Sequence, residues 1–535
     1  MIDSATEAHP SFLDRYRAGA LNAFYGRPAG DLAAGLNRPP VDDPAGLAEA
    51  LRVQARARGD RPAQLAAIDR LREPGARAIV TGQQAGLLLG PMYTLSKAIT
   101  AVRLAQRLDA PRRPVVPVFW VASQDHDSAE IDHAWLMDAG EEWQRLSLPF
   151  PPDLPSGRTA WQPGWTESLV QGLDALGVAG AGADAARTLV REACASADSV
   201  ADVFARMLSR LLGDDGLVVL DPVRPEMARR FAPVLGAELR DPRASTASIR
   251  RAGEALRAEG IKPQLGRGED ATNLFVQQEG GPRQSLRFDG RRFHPDGHPE
   301  VRWTAADLEA RLADDPAAIT PAAGLRPIVQ DAALPTAAVV VGPGELRYFA
   351  QLRGVYQHHE VAMPTVWPRA EATVLTPPVV RLLDRHGLTA QRFMSDPDEA
   401  LRARLLTLHG HHQRFASAHA RLEEEMATML HDVEAIDPTL HGPVRRGRGV
   451  LDHTVTRLRN KTADALSRRD RVTTRQFARL RTHLLPQDQP QERVASPFSF
   501  FAWFGVAPMM ARLRGLEPEG AQGVTVDPHD PPPDG

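Results

Sequence analysis

Strand, glycine loop, helix and strand follow one another within some forty residues, and no other feature restricts the fold of this chain as much. The stretch IVTGQQAGLLLGPMYTLSKAIT, residues 79–100, reads as a buried strand, a loop with glycines at 82, 86 and 90, and a helix running to about Leu108, where PRRP closes it. VVPVFWVAS, residues 115–123, is then a continuous apolar run of strand type. Such a unit demands a parallel sheet covered by helices, and ligands of such sheets sit at the carboxyl ends of the strands. A glycine loop there lets backbone N–H groups approach an anion, with the positive end of the following helix pointing the same way. The spacing is neither the G-x-x-x-x-G-K-[ST] of a phosphate-binding loop nor the G-x-G-x-x-G of a dinucleotide fold, so the loop alone names no ligand.

Further strands are expected at 216–222, 272–278 and 337–345, separated by helical stretches such as 200–212. The interval 140–200, rich in Pro, Gly and Ala, reads as an insertion with a helix at its end, and GGPRQSLRFDGRRFHPDGHP, residues 281–300, as a surface hairpin. A chain of 535 residues exceeds what one core sustains, so two or more domains are expected. After about 375 the character changes. Leu401, Leu405, Leu408, His412, Phe415, His419, Leu422, Met426, Met429, Val433 and Ile436 alternate steps of four and three, a heptad seam that predicts a coiled-coil helix. Asp437-Pro438 and HGPVRRGRG turn the chain, and a second helix from Val450 to Leu485 makes an antiparallel hairpin. FSFFAWFG, too aromatic for a free tail, is expected to dock on the core. These boundaries give a core at 1–375 with inserted segments at about 140–200 and 280–320, a coiled-coil domain at 376–490, a segment packing back on the core at 491–516, and a disordered tail at 517–535.

Net charge −3 and a pI near 6.6 argue against a nucleic-acid binder, whose domain usually has a pI above about 9. The single cysteine, Cys194, can form no internal disulfide, and neither a signal peptide nor an apolar span of membrane length is seen; the cytoplasm is the expected compartment. Lysine stands only at 97, 262 and 461, and arginine supplies the rest of the 64 basic residues. A lysine kept against that bias can present a compact ammonium to a phosphate or carboxylate. Lys97 lies in the helix behind the glycine loop; the competing reading is a solvated helix position.

The polar cluster SQDHDSAEIDH, residues 123–133, follows the second strand and offers Ser123, Asp125, His126, Asp127, Glu130 and His133. Its spacing matches no common zinc signature, so a metal-dependent hydrolase is the weaker chemical reading. Imidazole and carboxylates around a polar substrate, with a histidine stabilising negative charge in acyl or phosphoryl transfer, is the other. The plain alternative is an acidic helix start capped by Asp. In RPIVQDAALPTAAVVVGPGELRYFAQL, residues 326–352, a strand again ends in a glycine turn, Gly342-Pro343-Gly344-Glu345, ahead of a helix. Arg326, Gln330 and Asp331 precede that strand and fit a surface equally well. The histidines 409, 411 and 412 fall in the heptad helix and read as seam or surface residues, not a metal tract.

Taken together, VTGQQAGLLLGPMYTLSKAITA, PVFWVASQDHDSAEIDH, GLVVLDP, ATNLF, RPIVQDAALPT, GPGELRYFAQL and MPTVWPRAEATVL resemble, in order, the successive blocks of the bacillithiol-biosynthesis cysteine-adding enzymes, across about residues 10–515. The resemblance implies an α/β fold: a Rossmann-like, nucleotidyltransferase-like parallel-sheet core with connecting-peptide insertions, plus an α-helical coiled-coil domain that mediates homodimerisation. It implies a ligase joining the carboxyl group of L-cysteine to the amine of glucosaminyl malate as an amide. A carboxylate is a poor electrophile, so activation is expected; no cofactor is fixed, and ATP or another nucleotide is the first expectation for the activator. The chain lacks the H-I-G-H and K-M-S-K-S pair of class I synthetases. On this reading His126, Asp125 and Asp127 are the catalytic candidates. Thr81, Gly82, Gln83, Gln84, Gly86, Gly90, Tyr93, Lys97, Ser123, Gln330, Asp331, Gly342, Gly344 and Glu345 are the candidates for binding substrate or anion, and no metal ligand is expected. A non-catalytic coiled-coil scaffold is the rival from another class.

Overall fold

The computed structural model describes residues 10–526 apart from 60, 279 and 280. The chain divides into two compact units, one made of residues up to 372 with 492–524, the other of 373–491. At the centre of the first lies a five-stranded parallel sheet. In spatial order its strands are Thr365–Pro368, Thr336–Val341, Arg77–Gln83, Val115–Val121 and Val218–Leu220. All seven residues of Val115–Val121 are buried, as the uninterrupted apolar run requires of a strand covered on both faces. The helix Tyr93–Leu108 covers one face with Leu95, Ala98, Ile99 and Val102, all buried.

Chain order explains where a ligand fits. From Arg77–Gln83 the chain steps outward through Val115–Val121 to Val218–Leu220, then returns to lay Thr336–Val341 on the other side of the first strand. The two neighbours Arg77–Gln83 and Thr336–Val341 therefore flank the switch point, where loops leaving the strand ends diverge and open a crevice.

Close packing fixes one glycine on this sheet. Gly35, in the helix Leu32–Leu36, lies so near the strand Thr336–Val341 that a Cβ there would sit 2.1 Å from the Ala337 carbonyl oxygen. Gly35→Ala is expected to destabilise the unit by about 1–3 kcal/mol, because backbone must move to admit one methyl group. A urea midpoint unchanged from the parent would refute this.

The insertions are more structured than composition suggests. Residues 133–147 form a hairpin, His133–Met137 against Trp143–Ser147, and two helices follow, Pro163–Ala175 and Ala181–Cys194. TNLFVQQ does not extend the parallel sheet. Its strand, Ala271–Gln277, joins a separate antiparallel sheet with Arg283–Phe288, Phe293–Pro295 and Ile319–Pro321. Within it the hairpin expected at 281–300 turns through Asp289, whose carboxylate accepts the N–H groups of Arg291 and Arg292. The segment 491–516 contacts the glycine loop directly: Met92 N–H donates to the Ala495 carbonyl at 2.8 Å, and Ser496 Oγ to the Leu88 carbonyl at 2.9 Å. Its Phe498 and Phe501 are fully buried. The stretch read as disordered from 517 holds a strand, Ala521–Thr525, paired with Glu371–Leu375; residues 527–535 lie outside the described residues.

In the second unit the heptad seam is interrupted. Pro397–Leu408 and His412–Ile436 are separate helices, with Gly410 at φ +75° between them, a conformation glycine adopts without strain. HGPVRRGRG does not turn the chain. It opens the return helix His441–Arg469, and the turn is confined to 437–440; a further helix, Arg471–Leu484, starts after Asp470, whose carboxylate accepts the Thr473 N–H. Glycine and proline near the start of a long helix were outweighed by its length. His419 pairs with Asp452 at 2.7 Å across the two long helices. Met429, Ile436 and Leu458 remain 51%, 80% and 55% exposed. Among the described residues no helix is long and apolar enough to cross a membrane.

Candidate active site

At the switch point, the ends of Arg77–Gln83 and Thr336–Val341 open into a cavity of about 510 Å³. Gly82 must be glycine there, since a Cβ would lie 2.7 Å from the Trp120 carbonyl oxygen on the neighbouring strand. Behind the two strand ends stands Lys97, 3% exposed. Its Nζ donates to the Gly82 carbonyl and to Gln83 Oε1, each at 2.9 Å, and pairs with the Glu345 carboxylate. Glu345 in turn accepts the Gly342 N–H at 2.8 Å, capping the helix Pro343–Phe349. One ammonium thus ties both turns together. Burial pushes the Lys97 pKa down, and the adjacent Glu345 works against that shift.

The far wall of the cavity is cationic. Arg326 is held by Gln330 at 2.9 Å and by the Tyr348 hydroxyl at 3.3 Å, while Arg369 forms a bidentate pair with Glu492. Arg493 also lines the cavity, exposed and without a carboxylate partner among the described residues. Burial raises the Tyr348 hydroxyl to about 12, so it stays protonated through the physiological range.

Next to this cavity lies a second lobe of about 600 Å³, and the two share Gln84, Asp125 and Glu130. Asp125 is the hinge of the arrangement. Gln84 Nε2 donates to its Oδ2 at 2.8 Å, and the backbone N–H groups of His126 and Asp127 reach Oδ1 at 2.8 and 3.4 Å. His126, Asp127 and Asp153 line the second lobe. The His126 ring meets Phe275 edge to face, and its Nδ1 lies 3.5 Å from Arg283 Nη1. Arg283 comes from the antiparallel sheet, over 150 residues along the chain. Burial lowers its pKa to about 10, and Asp125 opposes the shift. The cationic wall of the first cavity and the acidic second lobe therefore meet at two shared carboxylates, Asp125 and Glu130. Among the described residues no three His, Cys, Asp or Glu side chains gather as a metal site.

Comparison with known proteins decides the family. Residues 26–370 match the family described as Bacillithiol biosynthesis BshC, N-terminal Rossmann-like domain, and residues 372–516 match the BshC C-terminal coiled-coil domain. The chain belongs to the BshC family. A Thermus thermophilus relative named "Putative cysteine ligase BshC" is 41% identical over 426 residues, 79% of this chain and 83% of its own length. Relatives of the same name from Salinibacter ruber and Geobacillus kaustophilus are each 34% identical, over 431 and 496 residues. They cover 80% and 86% of this chain, and 78% and 86% of their own lengths. With membership of the BshC family comes the enzyme class, a ligase of bacillithiol biosynthesis.

The residues singled out from the sequence divide in two. Gly82, Gln83, Gln84, Tyr93, Lys97, Gly342, Gly344, Glu345 and Asp125 line the first cavity, and His126 and Asp127 the second. The remainder face elsewhere. Thr81 donates to the Val340 carbonyl within the sheet, and Ser123 is bound to Asp221 with no exposed surface. Gly86 and Gly90 serve each other: a Cβ on Gly86 would lie 2.8 Å from Gly90 Cα, in a loop whose Leu88 and Leu89 have positive φ. Gln330 supports Arg326 from behind. Asp331 is buried against Tyr356, and burial raises its pKa. Arg283, Arg369 and Arg493 were not among the candidates. Only the block MPTVWPRAEATVL contains one of them, and nothing in an arginine-rich sequence marks these three among the others.

Proposed function

We propose that the two-lobed cleft joins the carboxyl group of L-cysteine to the amine of glucosaminyl malate. The observation that carries this reading is the charge layout: Arg326, Arg369 and Arg493 on one side, Asp127 and Asp153 on the other, with Asp125 and Glu130 shared between them. A malyl group brings two carboxylates to the cationic lobe, and the α-ammonium of cysteine suits the acidic one. The reacting carboxyl and amine then meet beside Gln84 and Asp125. His126 faces the negative charge that develops on the carbonyl oxygen when the amine adds, while Asp125, Asp127 and Gln84 hold the amine and sugar hydroxyls. Amide formation requires the carboxylate to lose one oxygen, so an activator must carry that oxygen away, and the amine must lose a proton to a base.

We assign catalysis to the core, 1–375 with 491–516, and pairing of two copies to the helical unit, 376–490, whose exposed Met429, Ile436 and Leu458 suit a second copy. The single cysteine suits a reducing cytoplasm.

Incubation with L-cysteine and glucosaminyl malate, with and without ATP, followed by mass spectrometry, tests the reaction. The expected product is the two substrates joined less one water, and its absence in every arm would overturn the assignment. His126→Ala is expected to lower the rate about 100-fold or more. Activity within a few-fold of the parent would remove His126 from the chemistry.

A further inference from the structure

His126 sits between two groups that ask opposite things of its Nδ1. Asp125 Oδ1, 4.0 Å away, would accept a proton carried on that nitrogen. Arg283 Nη1, 3.5 Å away, can only donate, so it requires Nδ1 to carry a lone pair. Geometry decides between them. The Asp125 contact is beyond hydrogen-bonding distance, and Oδ1 is already occupied by the backbone N–H groups of His126 and Asp127.

Arg283 is also fixed in place by everything around it. Nε donates to Thr320 Oγ1 at 2.8 Å, Nη2 donates to the Pro321 carbonyl at 2.9 Å, and the guanidinium lies 3.9 Å from the centre of the Phe275 ring. Phe275 is the same ring that His126 meets edge to face. Neither of the two acceptors needs a positive charge, and no carboxylate pairs with Arg283 among the described residues. An arginine that is 8% exposed, with its Nη1 group turned to an imidazole and no carboxylate, is costly to keep unless that N–H has a task.

We propose that Arg283 is a positioning residue: it holds His126 as the neutral tautomer protonated on Nε2, leaving that N–H as the ring's donor toward the second lobe. This deepens the role given to His126 above and rests on that reading for its catalytic meaning. A fixed Nε2–H suits an oxyanion developing on the attacked carbonyl, because the donor is oriented before the charge appears. The alternative arrangement, Nδ1–H toward Asp125 with Nε2 as a base, would make His126 a proton acceptor. The groups in contact with the ring are Arg283, Asp125 and Phe275, and the first two favour opposite tautomers.

The full-length protein, labelled with ¹⁵N in histidine alone, provides the test, with His126→Gln identifying the signals of interest. Spectra are taken as a pH series, and the tautomer is read on the alkaline plateau, where the ring signals no longer change. The expected result is an unprotonated Nδ1 and a protonated Nε2. A proton on Nδ1, or an average between the tautomers, would overturn the proposal, and this holds whatever the assay for ligation shows. In Arg283→Met the tautomer should become mixed, with kcat down on the order of 10- to 100-fold and KM nearly unchanged; Arg283→Lys, which keeps a donor, should recover much of the loss. If Arg283→Met keeps both the Nε2 proton and kcat, the proposal fails. If it does not fold, the spectrum of the parent protein decides alone. Should His126→Gln leave ligation intact, the catalytic reading falls while the tautomer assignment stands or falls on its own spectrum.

Discussion

Lys97→Met is expected to abolish most activity and to destabilise the core by roughly 3 kcal/mol, the lower end of what breaking a buried ion pair costs. The lower end applies because Glu345, though paired, keeps a quarter of its side chain exposed and can be rehydrated in part. The substitution keeps length and apolar stem but removes the donor that three acceptors share: the Gly82 carbonyl, Gln83 Oε1 and the Glu345 carboxylate. Both strand-end turns lose their common tie at once, so the effect on kcat/KM should exceed a hundredfold even where folding is intact. Lys97→Arg is not expected to rescue. The ammonium is enclosed by its three acceptors, its side chain only 4% exposed, and a planar guanidinium needs more room than that. Combining Lys97→Met with Glu345→Gln should restore a large part of the stability and none of the activity, because the unpaired carboxylate is gone while the tie is still missing. A Lys97→Met protein that turns over within a few-fold of the parent would show that the turns hold their geometry without it.

Where the sequence was legible, burial and periodicity spoke with one voice. The apolar run 115–121 and the strand ending at Gln83 became neighbours in a parallel sheet because no other arrangement buries both faces of each. Lys97 was legible for a different reason, its scarcity among arginines. The glycines show the limit of such reading. Gly82 and Gly86 look alike in the sequence, yet one makes room for the Trp120 carbonyl beside the cavity and the other for Gly90. A missing side chain reports that something comes close, never what. Arg283 was illegible because its value depends on a fold-level event: a hairpin placed next to Phe275 and His126. The interrupted seam at Gly410 has the same origin, since heptad spacing continued through residues where the backbone turned.

The second large effect is expected at Arg369, the residue that links the end of the parallel sheet to the returning segment. Its guanidinium pairs bidentately with Glu492, and both side chains are almost fully buried, 3% and 6% exposed. Glu492 also accepts the Ala372 N–H at 3.0 Å, and Arg369 lies 5.6 Å from the centre of the Tyr93 ring at the cavity wall. Removing the cation alone, as in Arg369→Met, strands a buried carboxylate and should cost about 3–5 kcal/mol, read as a shift in urea midpoint at unchanged slope. Replacing both partners by apolar residues, Arg369→Met with Glu492→Leu, should bring stability most of the way back, since the desolvation of two charges no longer has to be offset. Activity should not follow. The cationic lobe would still lack one of its arginines, and KM for glucosaminyl malate, the substrate proposed for that lobe, should stay raised by about tenfold or more while the fold recovers. If the double variant recovered both stability and KM, Arg369 would be a clip for the returning segment and nothing else, and the anionic end of the substrate would have to be held by Arg326 and Arg493 without it.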